Sequence, residues 1–286
     1  MQNQSILLPI LLLSLIYCKS KPPSNESQEK RYTLVTDEDG IVAEVFDSAV
    51  TDKNKYNDNN IIFKVGKTFH YSFKHITPEG KTQYFRENGI EDQWEFVDAA
   101  AADSATITSV KIEVLNGNPM ADHLPDYNQT VLAYQMKNNN RRSMSGVIEN
   151  EANVWMHPPR DLYFEILELN PFPYIKAPYE IGTSWTWNLT IGDGWSDKRW
   201  KLWTGQIENK YRYQITGRQT LKTNMGKIRC FVVESTAVSR IGNTKLIAYF
   251  NPQYGFVKLD YTNIDNSKTI LELTNVEHRL QHDRTL

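Results

Sequence analysis

The sequence predicts a mainly β protein, an antiparallel meander that forms a curved sheet, half-barrel or sandwich. Three observations carry this. Apolar and polar residues alternate with a period of two, as in Phe69, Tyr71 and Phe73 against His70, Ser72 and Lys74, which puts each set on its own face of a strand. Neighbouring runs are joined by short turns rich in Gly, Asn, Asp and Pro, which favours antiparallel pairing of consecutive strands. Fifteen Tyr and seven Trp against fourteen Gly also suit a β-rich chain. Strands and helices do not alternate, so a doubly wound α/β fold is disfavoured.

The elements follow in order. Residues 6–17 are an apolar-dominated run of twelve, too short to span a bilayer as a helix, which needs ~20 residues, but of the length of a signal-peptide apolar region. Cys18 follows it directly, and Leu15-Ile-Tyr-Cys18 resembles the lipobox of bacterial lipoproteins, although Tyr17 stands where a small residue is usual. The resemblance implies cleavage after residue 17, acylation of Cys18 and attachment to the cell envelope, the outer membrane of a Gram-negative bacterium. The alternative is a plain secretory signal with Cys18 a bystander. Residues 18–31, polar with two prolines, read as a flexible tether. A β-rich domain is expected over 32–277 and a polar tail over 278–286.

Within the domain, 32–36 and 41–46 read as a peripheral hairpin and 52–60 as loop. Further strands fit 82–87, 93–98, 106–115, 130–137 and 146–157, with a helical turn in 98–104. Residues 162–169 fit a short helix or a strand equally well. In the second part, strands are expected at 184–191, 199–203, 206–216, 227–238, 245–251, 256–262 and 269–276. Gly192-Asp-Gly194, Asn224-Met-Gly226 and Ile241-Gly-Asn243 are among their turns.

Val65-Gly-Lys-Thr-Phe-His-Tyr71 parallels Ile181-Gly-Thr-Ser-Trp-Thr-Trp187, and Ser145-Gly-Val-Ile148 parallels Tyr254-Gly-Phe-Val257. Two similar halves, 60–160 and 173–277, would explain this; so would a generic glycine-then-aromatic strand start. Ile181-Gly-Thr-Ser-Trp, 223–233 and Tyr249-Phe-Asn-Pro-Gln-Tyr-Gly-Phe-Val-Lys-Leu259 together resemble a module of uncharacterised exported bacterial proteins. That resemblance covers about 100 residues. It implies a curved antiparallel sheet like the half-barrel of lipoprotein carriers and transfers no catalytic residue.

Candidate chemistry is sparse. Trp185, Trp187, Trp195, Trp200 and Trp203 fall within nineteen residues. Indoles can stack on sugars or line an apolar cleft, and Arg199 beside Trp200 can add a cation–π contact; a sheet core leaves the same alternation. Period two predicts Trp185 and Trp187 buried on one face and Trp195, in a glycine-flanked loop, the most exposed. Trp155-Met-His-Pro-Pro-Arg160 presents His157 and Arg160 from a rigid segment. An acid–base pair of His157 with Glu149 or Glu151 is one reading. An ordered crossover with Arg160 in a structural ion pair is the favoured one. The candidate ligand-binding set is therefore Trp195, Trp200, Trp203, Arg199, His157 and Arg160.

Cys230 lies in an alternating run and is expected to be a buried, unpaired thiol. His278 and His282 could share a helix face but read as solvated tail, and His70 and His75 lack a ligand pattern. No metal or cofactor motif is present. A net charge of −2 argues against nucleic acid or an anionic surface as partner. The first functional expectation is non-catalytic binding of an apolar or amphipathic ligand in the sheet's concavity. Glycan binding through Trp185–Trp203 is second, and hydrolysis through His157 third.

Overall fold

The computed structural model describes residues 32–37, 40–46, 59–88, 90, 93–116, 129–136 and 142–278. The signal-peptide, Cys18 and tether readings, and the tail after His278, lie outside these. The hairpin β1 (Tyr32–Thr36) and β2 (Val42–Phe46) stands apart from one large antiparallel sheet. That sheet contains β3 (Lys67–Ile76), β4 (Thr82–Glu87), β5 (Trp94–Asp98), β6 (Ser109–Val114), β7 (Thr130–Met136), β8 (Arg142–Glu149), β9 (Asn153–Met156) and β10 (Tyr174–Lys176). It continues through β11 (Ser184–Ile191), β12 (Ile207–Thr223), β13 (Gly226–Ser239), β14 (Gly242–Asn251), β15 (Gly255–Thr262) and β16 (Lys268–His278).

Its strand order is β10-β9-β8-β7-β6-β3-β16-β15-β14-β13-β12-β11, with β4 and β5 branching from β3. Two meanders, β3 to β10 and β11 to β16, are thus joined where β16 pairs with β3 from His278↔Lys67 to Lys268↔Ile76. The sheet curls until its two free edges, β10 and β11, approach each other: the Tyr174 and Trp185 ring centroids are 5.6 Å apart. The result is a nearly closed half-barrel. Gly66 and Gly182, in the matching motifs before β3 and β11, have φ of +84° and +98°, a left-handed backbone that glycine adopts without penalty.

Period-two alternation decides what fills the barrel. Along β12, Ile207, Asn209, Tyr211, Tyr213 and Ile215 point inward and are buried, whereas Glu208, Lys210, Arg212, Gln214 and Thr216 point out. The concavity is occupied by the chain's own crossover from β9 to β10. Pro158 and Pro159 end β9, and a 3-10 segment, Leu162–Leu169, follows. Its Leu162, Tyr163, Phe164, Ile166, Leu167 and Leu169 side chains are all buried, each contributing about 1.5–3 kcal/mol. Leu162 holds φ +56°, a strained conformation costing ~1–2 kcal/mol that this packing offsets.

A segment inside a barrel must satisfy its backbone polar groups, and the inward polar residues of the wall do so. Tyr134 Oη donates to the His157 carbonyl, Asn209 Nδ2 and Thr244 Oγ1 to that of Leu169, and Tyr213 Oη to that of Phe172. A second network joins His75 Nδ1, Tyr163 Oη and Thr269 Oγ1 at 2.7 and 2.6 Å. It continues through Asn263 to Asn170.

Several expectations are corrected. The strand at 146–157 is two strands, since Asn150 Oδ1 accepts from the amides of Ala152 and Asn153 and turns the chain. Residues 199–203 form no strand: only an isolated bridge, Asp197↔Lys201, is present, because Asp197 draws the Arg199 amide and guanidinium into a local turn. The expected strand at 206–216 runs on to Thr223 as Ile207–Thr223, whereas that at 227–238 is met within one residue at each end by Gly226–Ser239. Cys230 is a free, buried thiol as expected, pushed up to about 12 by burial. No helix among the described residues is long and apolar enough to cross a membrane.

Candidate functional site: an aromatic seam between β10 and β11

The two edges of the sheet meet through rings in place of ladder hydrogen bonds. From β9, the crossover and β10 come Trp155, Phe172 and Tyr174. From β11 and β12 come Trp185, Trp187, Tyr211 and Tyr213. Across the seam, Phe172 lies 5.1 Å and Trp155 6.0 Å from Trp187, centroid to centroid. Behind it, Trp185 stacks on Tyr213 at 5.3 Å and 3°, and Trp187 on Tyr211 at 4.8 Å and 18°. The register explains the pairs: Trp185 is opposite Tyr213 and Trp187 opposite Tyr211, so large flat side chains on one face must stack.

Burial raises the phenols of Tyr174, Tyr211 and Tyr213 above their ordinary value, which keeps these phenols neutral. The indole N–H groups differ. Those of Trp155, Trp185 and Trp187 are buried and have no hydrogen-bond partner among the described residues. A buried donor left unpaired costs about 1–3 kcal/mol. Three in one wall is a concentration of unmet hydrogen-bonding capacity beside an apolar surface.

The sequence-nominated residues are distributed as follows. Trp185 and Trp187 are buried together, and Trp195 is the most exposed of its five-member cluster, only partly packed against the core. Trp200 and Trp203, nominated as ligand-facing, are buried at 7% and 8% exposure: the 192–206 connection folds its indoles inward, and Trp200 Nε1 donates to the Trp195 carbonyl. Arg199 does make a cation–π contact, but its nearer ring is Trp94 at 3.8 Å, with Trp200 at 5.5 Å. Trp94, from the β4–β5 hairpin, could not be found from the sequence cluster.

His157 does not meet Glu149 or Glu151. Glu149 accepts the amides of Ile61, Ile62 and Phe63, each at 2.8 Å, and Glu151 accepts the Tyr32 hydroxyl. The carboxylate beside His157 is Glu168, with Nε2 and Oε2 3.4 Å apart, in the interior and not in an open cleft. Arg160 is exposed, and the expected ion pair is not formed with any described residue. His70 contacts Glu277 at 3.1 Å, and His278 ends a strand, not a helix. Among the described residues, no cluster of His, Cys, Asp and Glu is arranged to hold a metal ion.

On the outer face of the same strands lies a depression of about 830 Å³ lined by Ser184, Thr186, Arg212, Gln214, Glu234 and Lys245, among others. Trp185, Tyr213, Leu246 and Ile247 also line it, so its wall is mixed.

No protein-family model and no curated protein matches the chain. Solved structures resemble it at a distance. One, from Bacteroides fragilis, is named as an exported protein with a YmcC-like fold. It shares 11% identity over 75% of this chain and 96% of its own, at a TM-score of 0.37. The hypothetical lipoprotein YmcC of Escherichia coli shares 9% identity over 75% and 85%, at 0.29. A protein from Parabacteroides distasonis named as a lipoprotein shares 12% over 76% and 97%, at 0.30. At these identities and scores no activity transfers, and the seam is interpreted from its own chemistry.

Proposed function

We propose that this chain is an exported, lipid-anchored protein that binds an apolar or amphipathic ligand without transforming it, at the seam between β10 and β11. The observation that carries the reading is the set of partnerless indole N–H groups of Trp155, Trp185 and Trp187 in a wall of aromatic rings. The ligand's apolar body would lie against Phe172 and Trp187, and its acceptor oxygens would take the indole protons. The seam is the place where this can happen, because no ladder hydrogen bonds must break for the β10 and β11 edges to part. Inward-facing indoles favour such a ligand over a sugar stacked on a flat platform.

Anchoring is supported by the apolar run at 6–17 followed by Cys18 and a polar tether; in this reading the protein sits in the cell envelope, at the outer membrane of a Gram-negative bacterium. Several acyl chains hold a protein stably, at about 0.8 kcal/mol per buried methylene. Cys18→Ser should move the protein to the soluble fraction and abolish fatty-acid labelling; unchanged labelling contradicts the anchor.

The ligand site is tested with cis-parinaric acid, an apolar chain with a carboxylate acceptor, followed by quenching of tryptophan fluorescence. Trp187→Phe keeps a ring in the wall and removes one donor. It should weaken binding about fivefold, the equivalent of one hydrogen bond of ~1 kcal/mol, with the fold intact. Equal affinity in the two proteins, or quenching abolished by Trp195→Phe alone, would refute the assignment.

A further inference from the structure

The barrel's two ends are unlike. The antiparallel register puts the β12–β13 turn, the β14–β15 turn, the β8–β9 turn and loop 177–183 at one end. The β1–β2 hairpin sits at this end too: Asn153 Oδ1 accepts the Val42 amide, and Tyr32 Oη donates to Glu151 in the β8–β9 turn. The described chain therefore enters the domain here, at Tyr32.

From this end the β12–β13 hairpin extends, with Ile228 and Cys230 buried and Leu221 and Met225 packed against the core on one face, and its charged side chains exposed. Pairing of β13 with β14 begins at Phe231↔Phe250, whereas β12 and β13 stay paired out to Thr223↔Gly226. The last four pairs, from Thr220↔Arg229 onward, extend roughly 14 Å at ~3.4 Å per residue. Residues 217–231 carry Arg218, Lys222, Lys227 and Arg229 and no carboxylate, in a chain whose net charge is −2. All four cations are exposed, and none forms an ion pair with a described residue. Lys222 and Lys227 face each other directly in the register. Like charges directly opposite on two strands destabilise the pair, and nothing in the hairpin relieves this. Beside it, Ile61 and Ile181 are exposed at 67% and 63%, and Lys64 is exposed. The neighbouring carboxylates Glu149 and Glu151 are engaged with amides and Tyr32, and Glu180 is the exposed acid of the adjoining loop.

We propose that this end of the barrel docks on an anionic lipid bilayer, with the β12–β13 hairpin as its electrostatic contact. The proposal rests on the anchoring reading for its choice of partner. Residues 18–31 can span at most ~50 Å, so an acylated Cys18 would hold the cationic end within reach of the headgroups. Basic side chains near an anionic leaflet add to a lipid anchor, and the exposed isoleucines are placed to enter the interface. An anionic surface also relieves the Lys222–Lys227 repulsion. The positive charge is local to the hairpin, since Glu44, Glu113 and Glu277 lie on other strands at this end.

The test uses the full chain extracted from membranes and reconstituted in vesicles. Cys230 is buried, so Asn224→Cys at the hairpin tip can be labelled with an environment-sensitive fluorophore, and Asn243→Cys labels the opposite end. On vesicles with 30% phosphatidylglycerol, the label at 224 should shift to the blue and be quenched by a lipid-borne quencher. On pure phosphatidylcholine, or in ~0.5 M salt where screening is within ~5 Å, it should not; the label at 243 should stay aqueous throughout. Lys222→Gln with Lys227→Gln removes two charges and should lower the anionic preference roughly 30-fold. It should not destabilise the fold, since it relieves a repulsion. An aqueous label at 224 on anionic vesicles overturns the proposal, as does equal burial on neutral ones. Tighter binding of soluble heparin than of anionic vesicles assigns the hairpin to a polyanion and also overturns it. Flotation of the chain with neutral vesicles reports the anchor separately.

Discussion

Replacing Glu149 by Gln should loosen the segment that covers one end of the barrel. The carboxylate accepts three amides, Ile61 and Ile62 on Oε1 and Phe63 on Oε2, all at 2.8 Å. Ile62 and Phe63 are buried, and the Cβ that any other residue would add at Gly255 falls 2.9 Å from Ile62 Cγ2, so the segment has little room to shift. Hydrogen bonds to a charged acceptor contribute about 1.5–3 kcal/mol each and neutral ones about 0.5–1.5. In Glu149→Gln two bonds fall from the first class to the second. The third is replaced by an amide NH₂ facing the Phe63 N–H. The sum is a loss of about 3.5–6 kcal/mol, a large part of a domain's ~5–15 kcal/mol. Urea melts followed by tryptophan fluorescence should show a lowered midpoint. Hydrogen exchange should show lost protection at the amides of Ile62 and Phe63. Unchanged protection there would refute the claim that Glu149 serves structure and would return it to the list of acid–base candidates.

Three further outcomes follow from the same packing. Trp185→Ala removes a ring stacked on Tyr213 and should cost about 3–5 kcal/mol in a thermal melt, whereas Trp195→Ala should cost less than ~1 kcal/mol; equal effects would contradict the burial order. The His75 imidazole, pushed down to about 4 by burial with Asp265 opposing, stays neutral in the fold while the unfolded chain takes up its proton near pH 6.5. Stability should therefore be full above that pH and fall by up to ~3 kcal/mol as pH drops from 6.5 towards 4; a His75→Gln protein with the same slope would refute this. Cys230 should react slowly with a thiol reagent in the native protein and rapidly in denaturant, and fast native labelling would contradict its burial.

Much of the sheet was legible because its inner face is largely apolar, with a few polar positions such as Asn209 and Thr244. Strand β11 matches its expected span, and β14 and β15 match within three residues, since alternation and glycine turns coincide there. The part of β12 beyond residue 216 falls outside its expected span because Gly217-Arg-Gln-Thr-Leu-Lys-Thr223 lacks a strict apolar alternation, whereas β13, with Ile228 and Cys230 buried, keeps one and matches 227–238 within one residue at each end. The turn at 150–152 carries no glycine or proline and depends on an Asn150 side chain, so it looked like uninterrupted strand. Strand β10 is only three residues between prolines.

The candidate site was legible only in part. Period two put Trp185 and Trp187 on one face, and double proline marked the crossover. The seam itself depends on long-range closure, β16 on β3 and β10 against β11, which no local pattern encodes. The partners of His157, Arg199 and Glu149 are residues 11, 105 and 86–88 positions away, and only folding brings the more distant ones together.

Native mass spectrometry of the gently purified chain tests the central claim most directly. The account predicts one lipid-like added mass per chain, released by denaturation and lost from a Trp185→Phe, Trp187→Phe protein that still folds. A bare chain in every charge state, or a bound oligosaccharide in its place, would contradict the seam as an amphipathic ligand site.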